Sequence, residues 1–218
     1  MLKYLARLAL LGVATLSTTY ATTISNGQSI AAPTIAAPVG TLEAQLTNQT
    51  ITFAPTGNPL SATFSEWVYL DSTTGDLDFV YQFTNTTNPS QLTAQYQGVI
   101  TDVTMASFAT YTTNVGYEAG TGTPASTVPD TVKRSADVID FSFGTASTFG
   151  PGDVSPILVV DTNATTFDIG TVGVIGGVGG DGVGKGPSLN TAPEPLSMSL
   201  MGAGLFMFGL FRWRKSRA

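Results

Sequence analysis

The fold of this chain is decided by Leu77–Thr84, which reads LDFVYQFT in one-letter code. Leucine and aromatic residues occupy every second position, and Asp, Val, Gln and Thr stand between them. This period of two is typical of a β-strand with one apolar face. The preceding run, Ala62–Leu70, is rich in aromatic and branched residues, and Asp71–Asp76 between the two runs consists of turn residues. The sequence therefore predicts a β-hairpin.

The same style of sequence continues on the C-terminal side of this hairpin. Gly, Pro and Asn separate further runs of branched and aromatic residues, and no helical period is visible between them. The runs are Leu92–Val103, Met105–Tyr117, Val138–Phe143, Ile157–Asp161 and Thr166–Ile175. We predict an all-β chain with a single β-sandwich of jelly-roll or immunoglobulin-like type, flanked by an N-terminal signal peptide and a C-terminal transmembrane sorting helix.

Five segments follow from composition along the chain. Lys3 and Arg7 precede the apolar stretch Leu8–Leu16, and small residues lead up to Ala21, which is the pattern of a secretory signal peptide cleaved after Ala21. Glycine and valine dominate the stretch that follows the last predicted strand, which favours a flexible stalk. The predicted segments are a signal peptide (1–21), a loosely ordered lead-in (22–40), the β-sandwich (41–176), a glycine-rich stalk (177–192) and a sorting tail (193–218).

The tail combines three features in a fixed order. Pro193-Glu194-Pro195 comes first, the uncharged span Leu196–Phe211 follows, and the basic residues Arg212, Arg214, Lys215 and Arg217 come last. A helix of this span is about 24 Å long, somewhat short of the roughly 30 Å hydrocarbon core. The basic cluster should stop transfer and stay cytoplasmic, which leaves the preceding domain outside. An ordinary membrane anchor is the alternative interpretation.

Motif, span and basic end together resemble the PEP-CTERM sorting signal of Gram-negative bacteria, and Leu77–Asn85 is similar to stretches in exported β-domains of that family. The resemblance implies an exosortase that recognises Pro193, Glu194 and Pro195. It also implies a transient stay in the inner membrane, and then a place at the cell surface or in the extracellular matrix. Extracellular polysaccharide is the partner class that it implies. The family has no common activity to carry over.

Composition excludes several function classes. Between Thr22 and Ala192 only Lys133, Arg134 and Lys185 are basic, against fourteen carboxylates, so the exported part carries a net charge of about −11. Such a surface repels phosphate backbones, and we expect no nucleic-acid partner. The chain has no cysteine and no histidine, which removes disulfides, Ser-His-Asp and Cys-His catalysis and His-ligated metals. We expect no cofactor, no catalytic residue and no enzyme activity.

Two groups of residues keep other functions open. Asp71, Asp76 and Asp78 bracket the hairpin turn and could bind calcium, although aspartate is also a default turn residue, and we expect no metal site. An exposed strip of Trp67, Tyr69 and Tyr81 would favour sugar binding, and two carboxylates across a cleft would favour hydrolysis.

These observations lead to one expected function and one alternative. We expect an exported structural or adhesive protein associated with matrix polysaccharide. The alternative is a carbohydrate-binding module or a carbohydrate-active enzyme.

Overall fold

The computed structural model describes residues 21–53, 60–92, 97–144, 149–176 and 179–188. These ranges hold thirteen β-strands, one 3-10 turn at Pro89–Gln91 and no α-helix. The strands are β1 (Thr22–Thr23), β2 (Ser29–Ala31), β3 (Thr34–Ile35), β4 (Gly40–Phe53), β5 (Ala62–Asp71), β6 (Leu77–Asn85), β7 (Asp102–Met105), β8 (Thr113–Glu118), β9 (Thr131–Ser135), β10 (Val138–Ser142), β11 (Ile157–Thr162), β12 (Phe167–Ile175) and β13 (Gly179–Pro187).

The strands join in one continuous sheet. Its order is β1-β8-β11-β6-β5-β4-β13-β12-β7-β10-β9-β2, and every neighbouring pair is antiparallel; β3 adds a parallel pairing to β8. The sheet curls into a half-barrel, so its two halves enclose one core. The predicted all-β class is confirmed, whereas the two sheets expected of a sandwich are here halves of a single curled sheet.

The hairpin of β5 and β6 supplies the centre of the core. Its register pairs Phe64 with Phe83 and Val68 with Phe79, so the alternating apolar residues of both strands lie on one face. All four are buried. Burial of large apolar side chains is the main stabilising term available to a fold without disulfides. The opposite half contributes further buried side chains: Val103, Met105, Val132, Ile139, Phe141, Val172 and Val174.

The long strand β4 carries the sheet from one half to the other. It pairs with β5 along most of its length and with β13 through Thr52 and Phe53. The pairing with β5 shifts register twice, between Leu42 and Ala44 and between Leu46 and Gln49. Such bulges bend a strand and increase its twist, which allows one strand to serve both halves. This strand was not predicted, because its exposed positions are mostly polar.

The glycine-rich segment is a strand over Gly179–Pro187, so the predicted stalk is corrected there. The strand β13 pairs with β12 at every one of its residues and with β4 at Gly180 and Asp181. Its even-numbered glycines face the interior: a Cβ would lie 2.5 Å from Phe53 at Gly180 and 2.8 Å from Phe64 at Gly182. The absence of side chains lets this strand approach the aromatic core closely.

The lead-in is corrected in the same way. Three short strands form within residues 22–40: β1 pairs with β8, β2 with β9, and β3 with β8. The ends of the sheet path are therefore strands of two and three residues, which leave little unpaired edge for other chains to join.

Two predicted strands are shorter than expected. In the described parts of the runs that begin at Leu92 and Met105, which leave out residues 93–96, the strands are Asp102–Met105 and Thr113–Glu118. The connection between them contains Ser107 at φ 92°, which a strand does not allow, and buries Phe108 edge-on against Phe79 at 5.7 Å. This connection contains an apolar residue because Phe108 packs into the core, and not because the connection pairs as a strand.

Candidate functional site

The predicted sorting residues lie outside the described part of the chain. This applies to Pro193, Glu194 and Pro195 and to the basic cluster of Arg212, Arg214, Lys215 and Arg217. Ala21, the expected cleavage residue, is described and packs against a small cluster on the outer face. Within the described ranges, no helix is long and apolar enough to span a lipid bilayer.

Trp67 and Tyr69 share the outer face of β5. Both are half-buried and pack against Val80 and Val159, which form a small outer cluster with Ile35. Tyr81 does not complete the exposed strip that would have favoured sugar binding, because it is 0% exposed and points into the core. The reason is the strand period: Tyr81 belongs to the apolar row of β6, and Val80 to the outer row.

A row of polar residues crosses the same outer face next to Tyr69. The register places Tyr69 opposite Asp78, Asp78 opposite Asp161, and Asp161 opposite Asn114. The hydroxyl of Thr23 on β1 donates to the Asn114 side-chain oxygen at 2.6 Å and extends the row to the edge of the sheet. Sequence reasoning identified Asp78 in this row and missed Asp161 and Asn114, since only the pairing of distant strands brings them together.

The row borders a pocket of about 190 Å³ at the turn of the hairpin. Four carboxylates line it, and so do amide and hydroxyl side chains; these are Asp71, Asp76, Asp78, Asp161, Thr74, Thr112, Asn114, Thr162 and Asn163. The structure therefore brings together all three aspartates of the predicted turn and adds Asp161. We call this cavity the acidic pocket.

Electrostatics in the acidic pocket disfavour the charged form of its buried members. Burial, and then the carboxylates of Asp161, Asp71 and Asp76, raise the pKa of Asp78 to about 7. Burial and the nearby Asp71 raise the pKa of Asp161 to about 6. Like charges directly opposite on neighbouring strands repel each other, so this arrangement is unfavourable without a counter-charge.

The turn itself accounts for Asp71. Its Oδ1 accepts the backbone N–H groups of Thr73 at 2.5 Å and Thr74 at 3.2 Å, which is an Asx-type turn. Among the described residues, no three acidic side chains stand in a ready-made coordination geometry. The contacts of Asp71 are thus those of a turn residue.

A second polar group lies in the core beneath β13. The Glu66 carboxylate is 1% exposed, and its Oε2 accepts the backbone N–H of Lys185 at 2.7 Å. The Tyr81 hydroxyl donates to the Lys185 carbonyl at 3.3 Å and lies close enough to Glu66 to lower its pKa, yet Oε1 has no hydrogen-bond partner. Glu66 and Tyr81 thus provide hydrogen-bond partners for the N–H and the carbonyl of Lys185, in a part of β13 that does not pair with β4.

Arg134 has a structural role that its charge alone did not suggest. It is 6% exposed, and its guanidinium donates five hydrogen bonds to oxygen atoms of two separate segments. The acceptors are the carbonyls of Ile24, Phe108, Ala109 and Tyr111 and the hydroxyl of Thr113. Arg134 thereby holds the N-terminal segment and the loop that precedes β8 against β9.

Comparison with known proteins gives no further assignment. The chain matches no protein-family model, and neither the curated proteins nor the solved structures contain a significant match to it.

Proposed function

We propose that this chain is an exported structural or adhesive protein that binds extracellular polysaccharide. The observation that carries the proposal is the outer face of β5, which holds half-buried Trp67 and Tyr69 and where Tyr69 stands opposite Asp78 of the oxygen-rich acidic pocket. Aromatic faces bind the apolar faces of sugar rings, and neighbouring carboxylates and amides accept or donate hydrogen bonds to sugar hydroxyls.

The sorting part of the proposal is supported by the sequence of the tail. An exosortase in the inner membrane of a Gram-negative bacterium recognises Pro193-Glu194-Pro195 and passes the protein to the cell surface or matrix, after an inner-membrane stage set by the basic cluster from Arg212 to Arg217. The signal peptide is removed after Ala21. We further propose that the exported part is a sandwich-like module of jelly-roll or immunoglobulin-like class.

The polysaccharide proposal is tested by co-sedimentation of the full chain with extracellular polysaccharide from the producing cells. Trp67→Ala and Tyr69→Ala should each reduce binding at least tenfold, because each removes a stacking surface. Ile169→Ala is the matched control: it shortens an apolar side chain that is 70% exposed in the other half of the sheet.

Thermal unfolding of each variant separates loss of binding from loss of folding. Equal binding by wild type and by both folded aromatic variants would exclude this face as the binding surface.

A carbohydrate-binding module or a carbohydrate-active enzyme is the second candidate. The observation that favours hydrolysis is the pair of Asp78 and Asp161, two carboxyl groups of raised pKa on adjacent strands. Release of reducing ends from the bound polysaccharide, abolished by Asp161→Asn, would favour the enzyme. Binding without release of reducing ends favours the adhesive or binding role.

A further inference from the structure

One short segment pairs with strands near both ends of the sheet path. Strands β1 and β3 pair with β8, and β2, which lies between them in the sequence, pairs with β9. Further backbone bonds alternate in the same way: the N–H of Ile24 donates to the Thr113 carbonyl at 3.0 Å, and the N–H of Ala32 donates to the Asp130 carbonyl at 3.0 Å. We call residues 22–35 the strap, because they join the edge of β8 to the edge of β9 and so close the curled sheet.

Two isoleucines of the strap occupy sites on the rest of the sheet. Ile24 is 1% exposed and belongs to the main core. Ile35 lies over Gly116 of β8, where a Cβ would stand 2.5 Å from its Cγ2, and it packs against Val80 and Val159 on the outer face. Without the strap, the notch at Gly116 would be empty and the edges of β8 and β9 would be open. Open edges of this kind pair readily with another chain.

The linker between the strap and the rest of the chain is short and stiff. Residues 36–39 read AAPV in one-letter code, and β4 begins at Gly40. The strap ends beside β8, whereas β4 pairs with β5, which is three strands away from β8 in the sheet path. Pro38 fixes its own φ and restricts Ala37 towards the extended region. A short hinge of this kind favours exchange of the element that it carries between two copies of a protein.

We propose that copies of this chain exchange the strap, so that residues 22–35 of one copy pair with β8 and β9 of a second copy. The pairings are the same as those within one copy, so the exchange leaves no additional edge open. Val39 in the linker and Leu42 just after it are apolar side chains that are 67% and 45% exposed, and the second copy would lie next to them. The proposal rests on the pairing of the strap and is independent of polysaccharide binding.

The chain has no cysteine, so introduced cysteines can report the exchange as a disulfide. Thr23 and Asn114 are register partners whose side chains are hydrogen-bonded at 2.6 Å. Partners in an antiparallel pair have Cα atoms about 4.5–5.5 Å apart, a spacing that a disulfide accepts. Two full chains with tags of different mass, one with Thr23→Cys and one with Asn114→Cys, are co-expressed, purified and mildly oxidised. We expect a covalent heterodimer on a non-reducing gel, because only exchange brings position 23 of one chain to position 114 of another.

The matched control pairs Thr23→Cys with Asp168→Cys, an exposed position on β12 that does not pair with the strap, and it should give no heterodimer. Pro38→Gly should reduce the heterodimer, because a flexible linker lets the strap fold back on its own sheet. Ser29→Cys with Lys133→Cys tests the pairing of β2 with β9 independently, in case the first pair prevents folding. Absence of a heterodimer from both pairs would overturn the proposal, and so would an equal yield in the Asp168→Cys control.

Discussion

At the scale of single residues, Glu66 is the side chain whose charge matters most to the core. Burial raises its pKa from 4.5 to about 7, and the backbone N–H of Lys185 offsets only part of that rise. The folded state therefore binds a proton that the unfolded chain has already released in the range between pH 4.5 and 7. Stability conferred by the neutral acid is complete below about pH 4.5 and is lost as the pH rises through 7.

We predict that the free energy of unfolding falls between pH 5 and pH 7.5, measured by urea denaturation in EGTA. Glu66→Gln should flatten this dependence, because a neutral amide keeps an oxygen acceptor for the Lys185 N–H and does not ionise. Burial also raises the pKa of Asp78 to about 7 and those of Asp140 and Asp161 to about 6, so these three carboxyl groups act in the same direction and leave a residual slope. A variant with the wild-type slope would show that Glu66 does not titrate in this range.

The role of a single residue could be predicted from the sequence where it depends on the residue's own strand or turn. The turn role of Asp71 follows from its residue type next to Ser, Thr and Gly. The period of two likewise assigns Tyr81 to the apolar row of its strand, and Tyr81 is buried there. Asp161 lies 83 positions after Asp78 in the sequence, and only the pairing of β6 with β11 makes the two neighbours.

At the scale of elements, β13 differs most from expectation. Its glycines at 180, 182, 184 and 186 follow the strand period and face the core, while Asp181 and Val183 face outward. The high density of glycine predicted a flexible stalk. The signal for a strand was the alternation of glycine with larger residues along this segment. The hairpin of β5 and β6 was predictable because its alternation uses large apolar residues. The inner row of β13 carries no side chain, so no hydrophobic pattern could reveal it.

We predict that Gly182→Ala lowers the free energy of unfolding by about 1–3 kcal/mol, which is the usual range for overpacking. The new Cβ would lie 2.8 Å from Phe64 and 2.9 Å from Ile51, and both of those side chains are buried. Val183→Ala, on the outer face of the same strand, is the matched control and should change stability by less than about 0.5 kcal/mol. Chemical denaturation measures both, and equal effects would show that β13 does not pack as described.

At the scale of the whole molecule, the order of strands in the sheet explains why the all-β fold class was predictable and the boundaries of the segments were not. Alternating runs indicated strands throughout the chain, and strands dominate the described residues. The strands β1, β2 and β3 are two or three residues long, too short to carry a periodic signal, and they form because longer strands offer edges to pair with.

The sorting proposal predicts that mature protein extracted from the cell surface has lost a segment at each end. Intact-mass measurement should show the loss of residues 1–21 and of most of the tail after Pro195. Replacement of Pro193, Glu194 and Pro195 by Ala should retain the full tail and hold the protein in the inner membrane, because the exosortase would lack its motif. Replacement of Asn190 and Thr191 by Ala, shortly before the motif, should leave processing intact. Surface protein that ends at Ala218 would contradict the proposal.

The position of β13 inside the sheet has a mechanical consequence. Whatever is attached to the chain after Ser188 pulls first on this strand, which lies between β4 and β12. A pull along the strand loads its nine register pairs with β12 in shear, all at once, instead of opening them one after another from an edge. The hydrogen bonds of Glu66 and Tyr81 to the backbone of Lys185 add resistance near the loaded end. A domain tethered through this strand should therefore resist a pulling force applied along the strand.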